Sequence, residues 1–215
     1  GIDFHGILVA GTLPGAKASD AVIKLLDAMQ RHTGKEAFDG ILINIAAPLD
    51  LSELDRIYAA GGRKIALNLE VWDPRTFEVI CPGKQINIGR ENFLKALEHA
   101  ASVFGRGHAC SAFVCGLEEK TKYYEAAEYL AQRGAWAFLQ PWKVMKGSLL
   151  EGHRTPSVEW HLEVNERVIE ITAQGLPEIL APDFYTAGNA TCIRCQPLNV
   201  FFDLLHARQL ATTEV

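Results

Sequence analysis

The chain has 215 residues, of which 48% are hydrophobic and 22% charged, with a formal net charge of −5. That is enough for one sizeable core, and with no dominant basic patch nucleic acid is not expected as a partner. The longest apolar runs fall far short of the ~20 residues that span a bilayer, so no membrane association is expected. Five cysteines with a single C-x-x-C suit a reducing cytoplasm better than a secreted disulfide framework.

Strand-length apolar runs alternate with helix-period segments along the chain, the pattern of parallel α/β architecture. Phe4–Ala10 reads as a buried strand. Ser19 and Asp20 offer an N-cap for a helix over Ala21–His32, with Val22, Leu25, Leu26 and Met29 as its apolar stripe. Gly40–Ala46 is a second strand, and a short helix from Asp50 ends at Gly61 and Gly62. Lys64–Glu70 is a third strand, followed by an irregular stretch over Val71–Gly89. A helix over Arg90–Phe104 buries Phe93, Leu94, Leu97 and Ala101. Ala109–Cys115 is a strand, Lys120–Arg133 a helix and Trp136–Gln140 a fifth strand. Pro156–Gln174 reads as a helix with Val158, Leu162, Val168 and Ile169 inward, and Leu198–Gln209 as a last helix. Residues 1–155 would form the barrel-like part and 156–215 a helical extension of the same domain. Periodicity alone leaves an open doubly wound sheet and part of a (β/α) barrel both open.

Ligands of parallel α/β folds bind at the carboxyl ends of the strands. Those ends carry Gly11 and Thr12, then Asn44 and Pro48, then Asn68 and Glu70, then Gly116, Leu117 and Glu118, and finally Gln140, Pro141, Trp142 and Lys143. Small residues let backbone approach a ligand, while amides and carboxylates offer fixed donors and acceptors. Asn68 and Glu70 would share the interior face of their strand, with Leu69 facing the helices. Two such polar groups need partners, either on a ligand or in a network with Lys84 or Arg90.

In this order the segments resemble the radical S-adenosylmethionine (SAM) enzymes, in particular the biotin-synthase-like branch, over Phe4–Leu150. Ala10, Gly11 and Thr12 stand where that family has a Gly-Gly-Glu-like turn against the SAM amino group. Asn68, Leu69 and Glu70 resemble the segment that binds the SAM ribose and amino group. Gly116, Leu117 and Glu118 resemble the turn beside the adenine. Pro141, Trp142 and Lys143, leading to Gly147 and Ser148, are similar to the strand exit that holds the adenine edge. Lys84 and Arg90 sit where a basic residue would meet the SAM carboxylate, while Asn44 and Trp142 would face the substrate.

The resemblance implies a partial TIM-type barrel, SAM and a 4Fe-4S cluster as cofactors, and a small-molecule substrate attacked by a 5′-deoxyadenosyl radical. It also implies an electron donor such as flavodoxin or ferredoxin. The family's C-x3-C-x2-C cluster motif is not in this sequence, and the resemblance puts that loop and the first family strand upstream of Gly1. Cys192 and Cys195 form a C-x-x-C that could be half of a metal site, two ligands of an auxiliary cluster, a redox pair or two free thiols. A non-radical barrel enzyme of the lyase or aldolase type, using Glu70 with Lys84 or Lys143, stays open, as does a catalytically silent ligand-binding relative.

Overall fold

A computed structural model of the protein describes residues 6–9, 16–33 and 41–180. The five apolar runs form strands β1 (Gly6–Val9), β2 (Ile41–Asn44), β3 (Lys64–Ala66), β4 (Ala109–Cys115) and β5 (Ala135–Pro141). All pair in parallel, and their order across the sheet is their order along the chain. That order decides between the two architectures. A doubly wound sheet reverses its winding and sets non-consecutive strands side by side. Right-handed crossovers that always step the same way keep the helices on one face and curl the sheet toward closure. The described residues form a partial (β/α) barrel.

The connecting helices are α1 (Ala16–Thr33), α2 (Ser52–Ala59), α3 (Pro74–Ile80), α4 (Pro82–Asn87), α5 (Arg90–Phe104), α6 (Lys120–Gln132) and α7 (Val158–Gly175). A 3-10 turn over Pro177–Leu180 follows. Strand β4 runs between β3 and β5, with Ala109, Cys110, Ser111, Ala112, Phe113 and Cys115 all buried. Against the sheet pack Leu54 and Ile57 of α2, Phe93 and Leu97 of α5, Tyr123 and Leu130 of α6, and Val164 and Val168 of α7. None of the described helices is long and apolar enough to cross a membrane.

Several expected boundaries shift, each for a local reason. Helix α1 starts at Ala16, so Ser19 and Asp20 are not its cap. Ser19 Oγ instead donates to Glu53 Oε2 of α2 at 2.5 Å in a buried pair, and Asp20 bonds Arg56 at 2.7 Å. Leu25 of the expected stripe is 45% exposed. The stretch read as irregular holds α3 and α4. Asp73 caps α3 by accepting from the Arg75 and Thr76 amides, and Pro74 and Pro82 open their helices, where a missing N–H costs nothing. Helix α7 buries Val164, Asn165, Val168, Ile169 and Thr172, whereas Val158 and Leu162 are exposed. Gly11, Thr12, Cys192, Cys195 and the last expected helix lie outside the described residues.

Candidate functional site

Strand β3 ends at Ala66, so Asn68 and Glu70 sit beyond it rather than on one of its faces. The Glu70 backbone still pairs with β4, since Glu70 N donates to Ala112 O and Val114 N donates to Glu70 O at 2.7 Å. Glu70 has φ +75°, the left-handed region that non-glycine residues rarely adopt, and no other non-glycine residue among those described has a positive φ. Lys84, from α4, draws the segment together. Its ammonium donates to the Asn68 carbonyl and to Glu70 Oε1, each at 2.7 Å, and lies 5.6 Å from the centre of the Phe93 ring. Asn68 Nδ2 reaches Asn44 Oδ1 at 3.4 Å, and Asn68 Oδ1 accepts from the Ala112 amide at 3.1 Å. Asn44, Asn68, Glu70 and Lys84 are thus one connected polar cluster at the carboxyl ends of β2 and β3. The Glu70 and Lys84 side chains are each about a third exposed, so the cluster is open to a ligand.

Arg90 and Glu118 are brought elsewhere. The Arg90 guanidinium donates through Nε to the Trp72 carbonyl at 3.0 Å, bonds Glu91 at 2.9 Å and lies 4.6 Å above the Trp72 ring. Both Glu118 carboxylate oxygens are taken by backbone, from Trp72 N at 2.6 Å and Asp73 N at 2.7 Å. Burial pushes the Glu118 carboxyl above its ordinary range, against the opposing pull of those two amides.

The turn after β4 depends on Gly116, whose φ is +110°. A Cβ there would meet Pro156 Cδ at 2.7 Å. The amides of Gly116, Leu117 and Glu118 all donate to the Tyr123 hydroxyl, at 2.9, 3.2 and 3.1 Å, and that hydroxyl donates to the Val114 carbonyl. Burial raises the Tyr123 pKa further, so the phenol is a structural pin. Gly116 and Glu118 also line a groove of about 720 Å³ with Asp73, Thr76, Lys120 and Trp160, on other residues than the Asn68–Glu70–Lys84 cluster. At the exit of β5, the Trp142 amide donates to the Cys115 carbonyl and its indole to the His153 carbonyl. His153 Nε2 in turn meets the Gly116 carbonyl at 2.7 Å, and Lys143 is exposed.

No group of three metal-ligating side chains occurs among the described residues. Cys110 and Cys115 are sealed inside β4, where burial raises both thiols, that of Cys115 to about 12. His99 pairs with Asp55 at 2.9 Å. His161, at the start of α7, keeps both ring nitrogens shielded without a hydrogen-bond partner, and burial lowers its pKa. Reading polar residues at strand ends misses Trp72, Tyr123 and His153. Asp73 followed by Pro74 is the signal of a capped helix that would have fixed where Trp72 lies.

Fold and site together define a parallel β/α-barrel protein with polar groups gathered at the carboxyl ends of its strands. No protein-family model matches the chain. The chain is similar to an enzyme, the bacteriochlorophyllide c C-7(1)-hydroxylase of Chlorobaculum limnaeum, at 26% identity over 159 residues. The match takes in 73% of this chain but only 40% of that enzyme's length.

Proposed function

We propose that this chain is the SAM-binding barrel portion of a radical SAM enzyme that acts on a C–H bond of a small molecule. The observation that carries the reading is the cluster of Asn44, Asn68, Glu70 and Lys84 at the barrel mouth. SAM presents an amino group, a carboxylate and ribose hydroxyls. Glu70 spends one oxygen on Lys84 and keeps lone pairs for an amino group or a hydroxyl. The Lys84 ammonium has used two of its three N–H donors, leaving one for a carboxylate. Asn68 adds a fixed amide beside them, held by Asn44. The donor set therefore fits SAM. The motif resemblance supports the same reading, as does the likeness to an enzyme named for hydroxylating a carbon of its substrate.

Bound SAM, with its 4Fe-4S cluster and an electron donor of the flavodoxin or ferredoxin kind, would supply a hydrogen-abstracting adenosyl radical. The described residues contain no ligand set for the cluster, so their part is to bind, orient and exclude water. Glu70 and Asn68 would hold the amino and ribose groups and Lys84 the carboxylate, with Asn44 and Trp142 toward the substrate.

The test is electron paramagnetic resonance on the full-length protein, purified without oxygen and reduced, with and without SAM. A reduced-cluster signal that changes when SAM is added is expected. A well-folded protein without a cluster overturns the reading. The 2.7 Å Glu70–Lys84 pair would then favour acid–base chemistry of the lyase or aldolase type.

A further inference from the structure

We infer that Glu118 and Arg90 are positioning residues, which clamp Trp72 and so hold Glu70 in the backbone conformation the site needs. The inference rests on the reading above, in which Glu70 contacts the ligand. It differs from what the motif resemblance implies for the same two side chains, which is direct contact with SAM.

Trp72 stands two residues beyond Glu70, is 8% exposed, and has every polar group engaged. Its amide goes to Glu118 Oε2, its carbonyl to Arg90 Nε and its indole N–H to Glu125 Oε2 at 3.2 Å. Its ring meets Phe113 and Tyr129 edge-on or tilted, at 6.4 and 5.3 Å between centres, and the Arg90 guanidinium covers it. The next amide, that of Asp73, takes the second Glu118 oxygen, and the Asp73 carboxylate caps α3. Helix α3 leads directly to α4, which carries Lys84 back to Glu70. The clamp therefore closes a ring around Glu70.

A left-handed non-glycine residue persists only where its surroundings over-determine it. Glu70 is so held from both sides, by β4 and Lys84 on one and by the Trp72 clamp on the other. The Glu118 carboxylate lies against two amides within reach of Asp73 and Lys122. The Arg90 side chain is only 11% exposed. Each Glu118 oxygen is spent on a backbone amide, and Arg90 Nε and Nη1 are spent on the Trp72 carbonyl and Glu91.

The experiment is a double-mutant cycle on the full-length protein, with the dissociation constant of SAM measured by calorimetry. Glu118→Gln keeps the size of the side chain but can accept properly from only one of the two amides. It is expected to weaken SAM binding about tenfold when Glu70 is present, and less than twofold in a Glu70→Ala background. Arg90→Lys, a second conservative variant, should show the same dependence on Glu70. An equal loss in both backgrounds would mean that Glu118 or Arg90 touches the ligand itself, and would overturn the inference. Unchanged affinity in both single variants would overturn it as well. Should the unsubstituted protein bind no SAM, the proposed function fails and the clamp is judged by amide exchange. Exchange at Glu70, Trp72 and Asp73 should then be faster in Glu118→Gln, and unchanged rates would refute the clamp.

Discussion

The exits of β3 and β5 leave the same end of the same sheet and are built in opposite ways. After β3, seven residues from Leu67 to Asp73 are tied by Ser111, Lys84, Glu118, Arg90 and Glu125. After β5, the chain is anchored at its base by Trp142, His153 and Thr155, while Lys143 to Gly147 stand exposed and Leu149 is entirely solvated. The difference follows from what each segment must hold. A left-handed glutamate needs support from all sides, whereas a loop whose left-handed position is a glycine, Gly147, needs only closed ends. On the proposed function, the groups that hold the cofactor belong in the first kind of segment. Residues that contact one particular substrate can change in the second at little cost to folding.

The sharpest way to break the tied side lies at the neighbouring turn after β4. Tyr123→Phe removes one hydroxyl and leaves three amides and a carbonyl without their partner. A loss of about 3 kcal/mol in urea unfolding is expected, given roughly 1–3 kcal/mol for each buried unsatisfied group and partial rescue by water. A loss below 0.5 kcal/mol would show that the turn holds itself.

Trp72→Phe removes the indole bond to Glu125 and one of the two fused rings that pack on Phe113, Tyr129 and Arg90. It should cost about 2 kcal/mol in the same assay, a cavity added to a lost hydrogen bond.

His161 tests the start of α7, where the loose exit ends. Burial lowers its pKa from the usual 6.5, so the folded protein binds fewer protons than the unfolded chain between that lowered value and 6.5. Its contribution to stability is fully present above pH 6.5 and is lost as pH falls through that window. His161→Phe should flatten this limb of the stability–pH curve, and an unchanged slope would place the ring in solvent.

On the exposed tip, Met145→Ser and Leu149→Ser should each stay within about 0.5 kcal/mol of the parent protein. A larger loss would mean that the tip is packed against something and that the two exits are not opposites.

The five strands were legible because both faces of each are apolar and the runs are bounded by turn residues. The polar strand ends were legible because barrels place ligands there. What escaped the sequence were pairings across long separations. Nothing near Glu118 announces that its carboxylate will serve two amides some 45 residues upstream. Arg90 reads as a ligand for an anion and is taken by a tryptophan carbonyl and ring. The inward face of α7 departs from the apolar spacing, since Val158 and Leu162 are exposed, while Asn165 and Thr172 are buried through bonds to their own helix, which periodicity does not register. Asp73 and Pro74 looked like a break in the chain because the same residues that end one helix begin another.

The two thiols inside β4 bear on how the protein will behave at the bench. The thiolate is the form that attacks an alkylating reagent, and Cys110 and Cys115 are both hidden from solvent and held protonated. Iodoacetamide should therefore leave them unlabelled while β4 stays in the sheet. Their modification, followed by mass spectrometry over time, becomes a clock for the opening of the barrel.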